Sequence, residues 1–444
     1  MKNIKLGKVW DSLHSSYWFL PSIMAIIAFV LALTMLHFDR AGIYGPLREW
    51  GWIYSGGPDG ARSLLSSVTG SMVTVAATAF SITIVALQLA ASNFGPRLLR
   101  NFMQDTGNQI VLGTFIGTFV YSLLVLRTIR GENYEEFVPH LSVTVGIVLA
   151  IASIAVLIYF IHHASTIIQA SHIISEASAD LDSAIDRLFP QKIGHPLPEH
   201  QRKVGEIPAN FDREAYPIRA NGTGYLQAID DEKLMKIACK HDLLLRVKSR
   251  PGKFVVKDSF LVMVLPGERV VDSPKASLNK QINEAFILGK ERTEQQDVSF
   301  PIAQLVEIAL RALSPGINDP FTAIRCIDRL SAGLSRLAQR DFPSPYRYDD
   351  KQNLRVIAEP VTFKELVDLA FNQIRQYGSS DASVTIRQIE ALAIIATYSR
   401  NPKQQAILKR HAEMILRGSR EGLPEEQDRQ DVQEQYHNFL KALE

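Results

Sequence analysis

The sequence has little cysteine and no bias in its charge. Cys239 and Cys326 are its two cysteines. They are too few for a disulfide framework, and a reducing location is expected for the soluble part. Forty-eight basic side chains stand against 46 acidic ones, a net charge of +2, so nothing points to nucleic acid as a partner. The usual catalytic signatures are missing too: no Gly-x-x-x-x-Gly-Lys loop, no His-Glu-x-x-His and no Cys-x-x-Cys. Gly222-Thr223-Gly224 lacks the third glycine and the strand–helix setting of a dinucleotide site. His162, His163 and His172 lie close in sequence, but adjacent histidines face different sides of a helix and no Cys or carboxylate completes a metal set. No residue nominates itself as nucleophile or base. The expectation is a protein that is not an enzyme, with no catalytic residue, cofactor or metal.

What the chain does have is long apolar runs, confined to its first third. Trp18–Leu36, Leu64–Ala91, Gln109–Leu126 and Leu141–Ile161 are each about long enough to cross a bilayer. The Lys2, Lys5 and Lys8 leader before the first run resembles a signal peptide, but no small-residue cleavage site follows, so an uncleaved membrane helix is expected. Phe38–Arg62, with Trp50, Trp52 and Tyr54, reads as an interfacial or a re-entrant loop. No Asp, Glu, Lys or Arg falls inside the four runs, which disfavours a charged intramembrane ion site. With the N-terminus inside, Lys2, Lys5, Lys8, Arg97 and Arg100 balance Arg40, Arg48, Arg62, Arg127 and Arg130, so flanking charge does not fix orientation. The large thiol-containing tail favours the plasma (inner) membrane with both termini cytoplasmic.

The second run carries a polar pattern. Ser67, Ser71, Thr74, Thr78, Ser81, Gln88 and Ser92 follow a four-three spacing broken only at Val85, which puts them on one helix face. Lipid offers such groups no partner, so the stripe should meet protein or water. It is either glue between helices, its hydroxyls bonding to neighbouring helices or to their own i−4 carbonyls, or the lining of a permeation path. Gly113-x-x-x-Gly117 in the third run and Ser142-x-x-x-Gly146-x-x-x-Ala150 in the fourth are faces for close helix packing.

The fourth run continues without Gly or Pro into a heptad segment. Ile167, Ile174, Leu181 and Leu188 form its a positions, and Ala170, Ala177 and Ala184 its d positions. One continuous helix from Leu141 to Leu188 is expected, its seam pairing with a second copy or with a helix of the same chain. The fold class expected is a membrane α-helical domain of four helices (1–162) followed by a cytoplasmic α+β region. That region comprises a connecting helix with a heptad pattern (163–189), a linker (190–217), a small β-rich subdomain (218–272) and a helical domain (273–444). Strands are expected at Tyr225–Ile229, Leu243–Val247, Phe254–Val256 and Leu261–Leu265, with a helix over Asp231–His241. Arg250-Pro251-Gly252-Lys253-Phe254-Val255-Val256, with Leu261 and Val264, resembles half of a lipoyl-type barrel-sandwich. Lys236 nevertheless falls in a helical pattern, unlike a carrier lysine. Later helices are expected at Thr362–Gln376, Ala382–Tyr398, Lys403–Leu416 and Pro424–Leu440, and Asp341–Tyr348 as loop.

In Arg311-Ala312-Leu313-Ser314-Pro315-Gly316-Ile317-Asn318-Asp319-Pro320-Phe321-Thr322-Ala323, one helix stops and the next starts, with Asp319 as N-cap and Pro320 at N1. This string resembles a bacterial family of predicted integral membrane proteins known as a domain of unknown function. Phe80-Ser81, Val85-Ala86-Leu87-Gln88-Leu89, Phe94-Gly95-Pro96-Arg97 and Arg292-Thr293 with Gln296-Asp297 extend the likeness along nearly the whole chain. The resemblance implies an inner-membrane protein with a cytoplasmic tail and carries no activity with it. Read physically, the string is a capped helix–turn–helix, or a polar cluster of Arg311, Asn318, Asp319, Thr322 and Arg325 that binds a ligand or a neighbouring subunit.

Two functions remain open on these residues. One is a homo-oligomeric channel or transport protein for an ion or small solute, with a cytoplasmic regulatory domain. The other is a non-conducting membrane anchor or sensor whose tail binds a partner or small ligand.

Overall fold

The computed structural model describes residues 16–42, 52–95, 105–130, 137–167, 169–189, 207–208, 210–266 and 275–443. Lys2, Lys5, Lys8, Trp50, Arg97, Arg100 and most of the expected linker lie outside them. The chain forms two compact units, Met1–His172 and Ile173–Glu444.

Among the described residues, four helices make the first unit: α1 (Phe19–Arg40), α2 (Pro58–Phe94), α3 (Thr106–Leu126) and α4 (His140–Ile167). All four are long and apolar enough to cross a membrane. Half of the apolar stretch of α3 is buried, against about a fifth in each of the others, which makes α3 the central helix. Its small residues explain how. A side chain at Gly113 would collide with Met24 of α1, and one at Gly117 would come within 3.4 Å of the Ala28 Cβ. On another side of α3, Thr118 and Ser153 of α4 share a hydrogen bond of 3.0 Å. Tyr121, fully buried, donates to the Ser142 carbonyl at 2.9 Å. The expected packing faces of the third and fourth runs are therefore in use inside the bundle. The 37 residues of α2 reach about 55 Å at ~1.5 Å per residue, well beyond the ~30 Å of bilayer hydrocarbon.

The single helix expected from Leu141 to Leu188 is two. α4 ends at Ile167 and α5 runs from Ala170 to Leu188. Its seam is buried: Ile174, Ala177, Leu181 and Ala184 are each at most 2% exposed. The cover comes from this chain rather than from a second copy. A Cβ on Gly333 of α10 (Pro320–Ala338) would lie 2.5 Å from Leu181 Cδ2, so glycine there lets the two helices touch. Arg336 of α10 pairs with Asp182 and Asp186, and Arg340 reaches Asp186 at 2.8 Å. Heptad spacing identifies a buried face but not what buries it.

The rest of the second unit is built on two small sheets. In chain order its elements are α6 (Phe211–Glu214), β1 (Tyr216–Arg219), β2 (Gly224–Ile229), α7 (Asp231–His241), β3 (Leu244–Val247), β4 (Phe254–Val255) and β5 (Phe260–Leu265). Then come α8 (Lys275–Asn283), β6 (Phe286–Gly289), α9 (Ser299–Ala312), α10, β7 (Tyr346–Tyr348) and β8 (Leu354–Ala358). The order β1-β5-β3-β8-β7 makes one sheet and β4-β2-β6 the other. Three strands come from beyond residue 272, and β3 lies parallel to β8, so the sheets join segments distant in sequence. β7 falls in the stretch expected as loop. Leu226, Leu234, Leu245, Val262, Val264 and Ile282 fill the core beneath the sheets. Lys236 lies on α7, 3.9 Å from Glu232.

Four helices close the chain: α11 (Phe363–Tyr377), α12 (Ala382–Tyr398), α13 (Pro402–Gly422) and α14 (Glu426–Leu443). Side-chain caps start the first three. Thr362 and Glu365 form a reciprocal capping box, Asp381 accepts from Val384 N and Asn401 from Lys403 N. Each such cap stabilises its helix by about 1 kcal/mol.

Candidate functional site

The stripe on α2 is exposed at every position from Ser67 to Ser92. Burial explains why. Leu65, Met72, Ala79, Ala86 and Ala90 are among the residues α2 buries against the bundle. Ser67, Thr74, Ser81, Gln88 and Ser92 each stand two positions later. At about 100° per residue that is ~200° around the axis, the far side of the helix. Ser67, Thr74, Thr78 and Ser81 donate to the carbonyls four residues earlier, at 2.9–3.1 Å. Gln88 makes no hydrogen bond among the described residues. Of the partners expected for packing hydroxyls, their own i−4 carbonyls are the ones these four hydroxyls take.

Each end of the bundle carries an acidic group that sequence reading did not single out. Asp39, 5% exposed, accepts from Leu141 N at 2.9 Å and from Ser142 N at 2.8 Å. It caps α4 from a different helix, answering amides the helix itself leaves open. His140 Nδ1 donates to the Tyr54 carbonyl at 2.7 Å, so a residue of the aromatic loop docks at the same end. Asp105 caps α3 and accepts from His163 Nε2 at 2.6 Å, while Tyr159 stacks on the His163 ring. A histidine that sequence left as interfacial therefore has a carboxylate partner 58 positions away. No group of three or more potential metal ligands occurs among the described residues.

The string from Arg311 to Ala323 is a capped turn. Asp319 accepts from Thr322 N at 3.1 Å and from Thr322 Oγ1 at 2.6 Å, and Asp319 N donates to the Ala312 carbonyl. Asn318 takes the left-handed conformation, φ +51°, that lets the chain reverse between α9 and α10. Arg311 lies beside Glu307, and Arg325 is exposed. The structure brings Asp319 and Thr322 together. The exposed tip is apolar instead: Phe321 is 74% exposed and Ile317 41%.

A cavity of about 450 Å³ opens where the turn after β3 meets α11. Arg250 Nη1 and Nη2 donate to the two carboxylate oxygens of Glu365 at 3.0 and 2.6 Å, and this guanidinium holds the Glu365 pKa down to about 2. Gly252, at φ +86°, brings the turn so close to Asp297 that any side chain would strike that carboxylate. Asp297 is almost fully buried. It accepts from Arg292 Nε at 3.0 Å and Nη2 at 2.5 Å, and from Ser299 N and Oγ. Deeper in the same wall, Asp368 accepts from Lys364 Nζ at 2.7 Å and from His411 Nε2 at 2.8 Å, with Arg410 alongside. Burial pushes the His411 pKa below its ordinary value, so the ring is neutral near pH 7. A smaller cavity of about 160 Å³ shares Arg250 and Pro251 and reaches Phe189. The loop holding Arg292 also grips α5: Arg187 donates to the Glu294 and Gln295 carbonyls at 2.6 and 2.9 Å.

Comparison with known proteins adds the following. A family model described as "Predicted membrane protein (DUF2254)" matches residues 14–394. An uncharacterized protein of Mycobacterium bovis is 31% identical over 425 residues, covering 95% of this chain and 79% of the relative. An uncharacterized protein of Mycobacterium tuberculosis matches to the same extent. No solved structure matches.

Proposed function

Since the chain belongs to the DUF2254 family of predicted membrane proteins, we propose that it is an oligomeric channel or transport protein, with α2 of each copy lining a polar path. The observation that carries this reading is the placement of the stripe opposite the buried face of α2. In hydrocarbon an unpaired amide such as Gln88 costs several kcal/mol, so a surface of this kind calls for water or a second copy beside it. Self-bonded hydroxyls are compatible with a wet wall, since each retains acceptor capacity for water. The protein sits in the plasma membrane with both termini cytoplasmic, where the second unit acts as the regulatory domain.

The test is flux through the full chain reconstituted in proteoliposomes. Wild type should pass a small ion or solute under voltage, tension or a pH step, and Gln88→Leu or Thr78→Val should change that flux while insertion stays intact. Flux absent under all three stimuli overturns the reading.

A further inference from the structure

The cavity beside the Arg250-Pro251-Gly252 turn has a chemistry of its own. Its walls and the ion pairs that reach them contain five cationic side chains (Arg250, Lys253, Arg292, Lys364, Arg410) and three carboxylates (Asp297, Glu365, Asp368). Each carboxylate is already matched: Asp297 by Arg292, Glu365 by Arg250, Asp368 by Lys364 and Arg410. Lys253 has no acidic partner among the described residues, so the excess charge is positive and lies at the cavity edge. Arg292 commits Nε and Nη2 to the buried Asp297, which fixes its guanidinium plane. Its Nη1 has no partner among the described residues, a pre-oriented pair of donors suited to a phosphate.

The remaining lining narrows the ligand further. Asn372 and Gln373 offer amides that both donate and accept, and Glu365 and Asp368 offer acceptor oxygens, the set that hydroxyl groups need. Val361, Leu366 and Leu369 add an apolar strip for carbon. None of the lining residues is aromatic, so there is no stacking platform for a nucleobase. The volume, about 450 Å³, falls within the ~300–1,000 Å³ of small-molecule sites.

We propose that this cavity binds a phosphorylated polyol or sugar, its phosphate on Lys253 and Arg292 and its hydroxyls on Asn372, Gln373 and the Glu365 and Asp368 carboxylates. The inference is independent of whether the membrane unit conducts. The loop that carries Arg292 also accepts Arg187 of α5 at its Glu294 and Gln295 carbonyls.

The test is calorimetric titration of the full chain in phosphatidylcholine nanodiscs with glucose 6-phosphate, inorganic phosphate and glucose. The ester should bind more tightly than inorganic phosphate, and glucose should not bind. Lys253→Ala, on an exposed residue whose loss leaves folding intact, should weaken the ester at least tenfold. Asn372→Leu should weaken the ester and leave inorganic phosphate unchanged. Repeating the titration in nanodiscs containing phosphatidylinositol identifies the source: competition marks a lipid headgroup, its absence a free metabolite, and either supports the assignment. Absence of ester binding at millimolar concentration overturns the proposal. So does ester binding that neither substitution alters, or glucose binding as tight as the ester.

Discussion

Gly252→Ala should be among the most damaging single-methyl additions in this molecule. Gly252 combines three constraints: φ of +86°, a backbone N–H given to the Leu226 carbonyl at 2.8 Å, and the Asp297 carboxylate where a Cβ would go. Alanine in a left-handed conformation costs about 1–2 kcal/mol by itself. The steric part falls on a short side chain that cannot swing aside, because Asp297 is held by Arg292 and by Ser299 on opposite oxygens. Moving it leaves the Arg292 guanidinium without its buried counter-charge, a loss of about 3–5 kcal/mol if complete. Partial relaxation brings the sum to about 3 kcal/mol, which for a unit of this size lowers Tm by roughly 6–12 °C. The assay is thermal unfolding of the purified full chain in detergent, with Gly316→Ala as control. Gly316 is exposed and an added Cβ meets nothing within 4 Å, so that variant should match wild type. Gly252→Ala melting within about 1 °C of the control would refute the reasoning, since the strain penalty alone exceeds that.

Three further outcomes are expected. Leu181→Ala, at 1% exposure against Gly333, should destabilise by about 2–5 kcal/mol, and the loss should not change with protein concentration because the seam is closed within one chain. Asp180 on α5 is pushed up to about 6, first by burial and then by Glu294 and Glu176, with Arg187 opposing. An acid raised above its unfolded value of 3.8 costs nothing below that pH, and its penalty is complete once pH exceeds the folded value. Asp180→Asn should therefore raise stability at pH 7.5 by about 1–2 kcal/mol, with the gain vanishing as pH falls toward 4; a loss at pH 7.5 would contradict the burial argument. Asp39→Ala should lower stability by about 2 kcal/mol, because Leu141 N, Ser142 N and Ser142 Oγ lose one shared acceptor. Asp39→Asn, which keeps one acceptor oxygen, should lose less, as read by thermal unfolding.

Legibility in the sequence followed the range of the physics involved. Membrane spans and helix caps depend on neighbouring residues, and they were readable: α7 and α12 occupy the expected Asp231–His241 and Ala382–Tyr398, and Asp319 caps α10. The heptad of α5 was readable as a buried face, but a lone glycine at 333 gave no sign that α10 was its cover. The break between α4 and α5 has no Gly or Pro, and it falls where an all-round apolar helix gives way to an amphipathic one. β7 and β8 are short, and Pro343 and Pro345 precede β7, so the pairing of β8 with β3, about 110 positions earlier, and of β7 with β8 was invisible locally. The cavity was the least legible feature. Arg250, Arg292 and Glu365 are single polar residues scattered over more than 100 positions, and only the Arg292-Thr293 and Gln296-Asp297 strings hinted at part of it.

The central claim is that the α2 stripe faces water between copies, and cysteine accessibility tests it most directly. In a Cys239→Ser background the remaining native thiol, Cys326, is buried and its pKa is pushed up by that burial, so it stays silent. Single cysteines at Ser67, Ser71, Thr74, Thr78, Ser81 and Gln88 in reconstituted protein should react with a membrane-impermeant thiol reagent, whereas cysteines at Val73 and Phe80, also exposed but off the stripe, should not. Labelling that follows the four-three spacing supports the account. Stripe positions no more reactive than Val73 and Phe80 would contradict it.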